Sequence, residues 1–157
     1  MTHLLSGKNG LIVGVANEKS IAWGIAKVLS AHGATLAFTY QGDSFGKRVI
    51  PLAKSVGSEI VYNADVTESK SLDFVFSELK KKWGQLDFLI HAVAYSDKDE
   101  LSGRFINTSK ENFQNSMAIS CYSLIDLSRR SSELMMSGGT IITLSYLGSQ
   151  RVTPNYN

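Results

Sequence analysis

Two tyrosines near the end of the 157-residue chain, Tyr146 and Tyr156, are the first candidates for chemistry. A phenol with an ordinary pKa of about 10 stays protonated at neutral pH, so it can donate a hydrogen bond or a proton to an oxygen that gathers negative charge. Tyr146 comes just after Thr140 to Leu144 (TIITL), an apolar run that reads as a short strand. The carboxyl ends of parallel strands are where α/β sheets place their ligands. With six tyrosines in the chain, amphipathic packing is the commoner role for any one of them, and position singles these two out.

A second constellation lies at the other end. Gly10 to Val15 (GLIVGV) reads as a strand buried on both faces, and from Ser20 the residues Ile21, Gly24, Ile25, Val28 and Leu29 fall on one face of a helix. The turn between them, starting at Gly14, suits a pyrophosphate held by backbone N–H groups and a helix N-terminus. Its spacing is not G-x-G-x-x-G, and an ordinary capped helix explains it equally well. Ser20 is a fitting N-cap, and Gly24 would lie on the apolar face one turn in. After the next strand, where an acidic residue often grips a ribose hydroxyl, stands Gln41. A neutral amide can serve there, and no arginine immediately adjoins it to meet a 2′-phosphate, so NAD is favoured over NADP. Asp65, with Val66 beside it, could bond the exocyclic amine of adenine or could form an Asx turn before the next helix.

The elements that must position these residues alternate along the chain. Strands are expected at Gly10 to Val15, Ala34 to Tyr40, Glu59 to Tyr62, Leu86 to Val93 and Thr140 to Leu144. Helices are expected from Ser20 to about Gly33, from Phe45 to Val56, along the Leu72, Phe76, Leu79 and Trp83 stripe, and from a Thr108/Glu111 capping box to about Met135. This order implies right-handed crossovers and a doubly wound parallel α/β sheet of Rossmann type, a single domain over residues 1–157. No helix follows the fifth strand, so the polypeptide is expected to continue. His91, inside an apolar strand, reads as a hydrogen-bonded core histidine, Cys121 as inert packing, Lys80 to Lys82 as a solvated helix end, and Met135 with Met136 as core filler.

Composition excludes other classes. A 43% hydrophobic, 19% charged chain is neither disordered nor fibrous, and a formal charge of +2 is too weak a field to argue for nucleic acid. One cysteine allows no internal disulfide and no thiolate metal site, which favours a reducing compartment, and no metal is expected. No apolar run approaches the ~20 residues of a membrane helix, and no signal pattern opens the chain, so a cytoplasmic protein is expected.

The stretches Gly14 to Gly24, Leu36 to Gln41 (LAFTYQ) and above all Leu144 to Gly148 (LSYLG) leading to Pro154 to Asn157 (PNYN) resemble the short-chain dehydrogenase/reductase superfamily. Within it, the chain resembles the NADH-dependent enoyl-acyl-carrier-protein reductases of bacterial fatty-acid synthesis. The resemblance implies NADH contacts at Gly14, Ser20, Ile21, Gln41, Asp65, Val66 and Val93, and a substrate contact at Ser96. It implies hydride transfer to the double bond of a trans-2-enoyl thioester borne by acyl carrier protein. Tyr156 would bond the enolate oxygen, and Tyr146 would shape the pocket or deliver the proton. It also implies a homotetramer and an active-site lysine beyond Asn157, in a polypeptide longer by about a hundred residues, because the sheet needs further cover. A carbonyl-reducing member of the superfamily, which Tyr146 argues against, and a non-catalytic dinucleotide-binding module are the alternatives.

Overall fold

A computed structural model describes residues 3–153; Tyr156 lies outside the described residues. Five parallel strands form one sheet: β1 (Asn9–Val13), β2 (Thr35–Tyr40), β3 (Ile60–Asn63), β4 (Phe88–His91) and β5 (Thr140–Thr143), in the order β3-β2-β1-β4-β5. The chain winds outward from β1 through β2 to β3, then returns to set β4 on the other side of β1. Between β1 and β4 the winding reverses, which opens a crevice at the carboxyl ends of the strands.

Alternate residues of each strand serve the two faces. Leu11, Val13, Ala37 and Leu89 pack under α3 (Ser69–Trp83) with Leu72, Val75, Phe76 and Leu79. Ile12, Leu36, Phe38 and Ile90 pack under α1 (Ile21–Ala31) and α2 (Gly42–Ser55), against Trp23, Ala26, Val49 and Ala53. Phe38, Leu11 and Leu89 have no exposed surface, and burial of each such side chain stabilises by about 1.5–3 kcal/mol. All four residues of β5 are exposed.

The expected long helix forms, with a π turn in its middle. It runs as α4 (Lys110–Met117), a π turn at Ala118–Tyr122 and α5 (Ser123–Ser132). Its cap is Ser109 rather than Thr108: the Ser109 hydroxyl accepts from the Asn112 N–H at 3.1 Å, whereas the Thr108 hydroxyl donates to the Phe105 carbonyl. Glu111 then falls one position too early to close a capping box. Glu100 takes that role from the preceding loop, accepting from the Ser109 N–H at 2.8 Å and the Ser109 hydroxyl at 2.7 Å.

The face of α1 also differs from its apolar pattern. Ala22, Trp23 and Ala26 are buried, while Ile21 and Val28 are exposed and Gly24 has no neighbouring atom where a side chain would begin. The i, i+3, i+7 row through Ile21 is the outer one, because the bulk of Trp23 must enter the core beside Phe38 (ring centroids 6.4 Å apart). Met136 is 83% exposed and Cys121 is exposed on the π turn, so neither is core packing.

Candidate functional site

A cleft of about 360 Å³ opens at the carboxyl ends of β1 to β4, within the size range of ligand pockets. Val13, Gly14, Val15 and Ala16 form its floor, Tyr40, Gln41 and Phe45 one wall, Ala64, Asp65 and Val66 another, and Ala92 to Tyr95 with Ile119 the far end.

Gly14 is required twice over. Its φ of +110° is a conformation that side-chain-bearing residues rarely adopt, and a Cβ there would lie 2.0 Å from the Ala92 carbonyl oxygen. The ends of β1 and β4 therefore close on each other only over a glycine.

Gln41 and Asp65 meet across the strand ends. The Gln41 amide donates to Asp65 Oδ2, while Asp65 Oδ1 accepts from the Thr67 N–H at 2.8 Å and the Thr67 hydroxyl at 2.7 Å. Asp65 thus makes its Asx turn with one oxygen and keeps the other turned to Gln41. Partial burial works against its ionisation, but the bonds from Thr67 and Gln41 prevail and hold the carboxyl below the usual carboxylate range. Gly42, at φ +71°, donates its N–H to Asn63 Oδ1 at 2.9 Å, which starts α2 three residues before the expected Phe45.

The π turn builds the other end. Ser120 both donates to the Tyr95 carbonyl and accepts from the Tyr95 N–H, tying the loop after β4 to the helix. One turn on, the Ser123 hydroxyl donates to the Ile119 carbonyl at 2.6 Å, so its oxygen accepts from His91 Nε2 at 2.8 Å. His91 Nδ1 then accepts from the Thr143 hydroxyl at 3.0 Å. The ring is a satisfied core histidine as expected, linking β4, β5 and the start of α5, and burial pushes its pKa below the ordinary value.

Of the residues singled out in the sequence, Gly14, Gln41, Asp65, Val66 and Val93 line the cleft. Ser20 and Ile21 do not: the Ser20 hydroxyl donates to the Asn17 carbonyl instead of capping α1, and the Ile21 side chain is exposed. Ser96 is turned to Asn112, whose amide donates to it at 3.2 Å. Tyr146 is 54% exposed beside Gly148 and lies outside the cleft lining. Sequence reasoning missed Phe45, Tyr95 and Ile119. A short apolar stripe at the start of α2 could have flagged Phe45, but Ile119 reaches the cleft only because the π turn, tied through Ser120 to Tyr95, packs against the loop after β4.

A doubly wound parallel sheet with a glycine turn after β1 and a polar pair across β2 and β3 defines a Rossmann-type nucleotide-binding fold. The enoyl-(acyl carrier protein) reductase family model matches residues 14–157, and the chain belongs to that family. It is 54% identical over 157 residues to enoyl-[acyl-carrier-protein] reductase [NADH] 2 of Rhizobium meliloti, covering all of this chain and 59% of that protein. The crystal structure of the Anaplasma phagocytophilum reductase in complex with NAD superposes with a TM-score of 0.94 at 50% identity, over 98% of this chain and 59% of that one. The Bacillus cereus reductase, solved with NADP+ and an indole naphthyridinone, superposes with a TM-score of 0.95 at 40% identity, over 100% of this chain and 62% of that one. The chain thus spans about three-fifths of the relatives it matches.

The cleft walls are mainly apolar, Gln41 and Asp65 converge at one end, and the switch point between β1 and β4 leads from them toward Val93. Among the described residues, no group of His, Cys, Asp and Glu is placed to hold a metal, and no helix is long and apolar enough to cross a membrane.

Proposed function

We propose that the chain forms the dinucleotide-binding part of an NADH-dependent reductase acting on a trans-2-enoyl thioester carried by acyl carrier protein. One observation carries the reading: in a chain 54% identical to an NADH enoyl reductase, Gly14, Gln41, Asp65, Val66 and Val93 converge on one cleft at the strand ends. NADH, when bound, supplies the hydride. Gln41 then holds an adenosine ribose hydroxyl, Asp65 accepts from the adenine amine, and Val66 packs on the adenine ring. Gly14 lets backbone approach the pyrophosphate, and Val93 with Ala94 borders the nicotinamide. Ser20 and Ile21, at the start of α1, complete this set, and Ser96 contacts the substrate.

Tyr156 donates a hydrogen bond to the substrate's thioester oxygen as negative charge collects there, and Tyr146 shapes the acyl pocket or delivers the proton. Loss of one such donor costs about 2.7–4 kcal/mol of barrier, or 10²- to 10³-fold in kcat. We place the enzyme in the cytoplasm as a homotetramer, on the family resemblance.

The test is NADH oxidation by the full-length polypeptide with a 2-butenoyl thioester. Oxidation with that substrate, reduced about 10²-fold or more in Tyr156→Phe, supports the reading. Oxidation by an acetoacetyl thioester alone selects a carbonyl reductase. NADH binding with neither reaction selects a non-catalytic module.

A further inference from the structure

We propose that Asp65 sets the dinucleotide preference by fixing which end of the Gln41 carboxamide faces the ribose. The inference rests on the reading that this cleft takes the adenosine end of a dinucleotide. An ionised carboxylate only accepts hydrogen bonds, so the part of Gln41 that meets Asp65 Oδ2 must be its NH₂ group. The amide oxygen is left as the end offered to a ligand. A ribose 2′-hydroxyl can donate to that oxygen. A 2′-phosphate, which carries about −1.5 to −2 charges near neutrality and has no proton to offer, meets an acceptor with a carboxylate behind it.

Asp65 is held for this role. Its Oδ1 is occupied by the Thr67 N–H and hydroxyl, and its own N–H donates to the Ser71 hydroxyl at 3.0 Å, so the carboxylate cannot turn without breaking the Asx turn that leads into α3. The arginine of α2, Arg48, lies over the ring of Phe45, 4.9 Å from its centroid, and Phe45 lines the cleft beside Gln41. The fold itself permits either cofactor, since the similar Bacillus cereus structure holds NADP+. The choice therefore falls to a few side chains at this end of the cleft.

The experiment is fluorescence titration of the full-length polypeptide with NADH and NADPH, with 5′-AMP and 2′,5′-ADP as competitors, for wild type, Asp65→Asn, Gln41→Ala and the double variant. The amide introduced by Asp65→Asn can donate to Gln41, which allows the Gln41 carboxamide to reverse and present its NH₂ group. We expect NADH to bind wild type the tighter, and Asp65→Asn to move the NADPH-to-NADH affinity ratio toward NADPH by about tenfold. In the Gln41→Ala background the same substitution should leave the ratio within about twofold, because the effect passes through Gln41. Equal weakening of both dinucleotides by Asp65→Asn would mean a plain adenine contact and would overturn the proposal alone. A ratio that shifts as much without Gln41 would assign the effect to direct charge repulsion, also against it. Binding of neither dinucleotide by folded wild type would overturn the functional reading and this inference with it.

Discussion

Replacing Gly14 with alanine should damage the protein, whereas the same change at Gly24 should help it, although both glycines belong to one sequence motif. At Gly14 a Cβ would lie 2.0 Å from the Ala92 carbonyl oxygen, and a backbone atom cannot rotate away. The carboxyl ends of β1 and β4 would have to part, at the expense of the Ala92 N–H bond to the Val13 carbonyl (2.9 Å), while alanine is forced to a φ near +110°. Positive φ costs about 1–2 kcal/mol and a lost backbone bond about 0.5–1.5, so the variant should lose about 1.5–3.5 kcal/mol and its Tm should fall by roughly 3–14 °C. Gly24 sits in α1 with open space where its side chain would begin, so alanine there gains helix propensity of about 0.5–1 kcal/mol. Urea unfolding of both variants beside wild type measures the two shifts. If Gly14→Ala stays within about 0.5 kcal/mol of wild type, or Gly24→Ala destabilises by more than about 1 kcal/mol, the reasoning from close approach is refuted.

Other expectations follow from the hydrogen-bond networks. His91 has a folded pKa below its unfolded value of about 6.5, so its contribution is full above that pH and is lost as pH falls below it; His91→Gln should flatten the urea-stability profile between about pH 7.5 and 5.5. Arg130, nearly buried, bonds Asp73, Asp126 and Ser69, so Arg130→Ala should cost about 1–3 kcal/mol by emptying its packed site and leaving Asp126 with Arg129 alone, and Arg130→Met less; equal losses would mean that charge, not packing, matters there. Ser109→Ala should cost about 1 kcal/mol and Thr108→Ala less than half of that, and thermal melts giving the reverse order would return the cap to Thr108.

Periodicity was enough to read the architecture. Apolar runs such as GLIVGV and TIITL, alternating with helical stripes, point to a parallel sheet covered by helices, and the matched pattern of Leu72, Phe76 and Leu79 needed no structure to place it inward. The strand ends also marked most of the cleft, since Gln41, Asp65 and Val93 follow strands and must gather at one edge of a parallel sheet.

Which side of a helix faces inward, which hydroxyl caps and which oxygen is left for a ligand depended on neighbours distant in the chain. Trp23 took the core beside Phe38 and turned Ile21 and Gly24 outward; Glu100 made Ser109 the cap in place of Thr108; Ala92 made Gly14 obligatory. Asp65 showed neither of its two sequence readings to be exclusive, because a carboxylate has two oxygens and the fold gave one to Thr67 and turned the other to Gln41. Local sequence determines which bonds a residue can make, and only tertiary packing decides which partner arrives to make them.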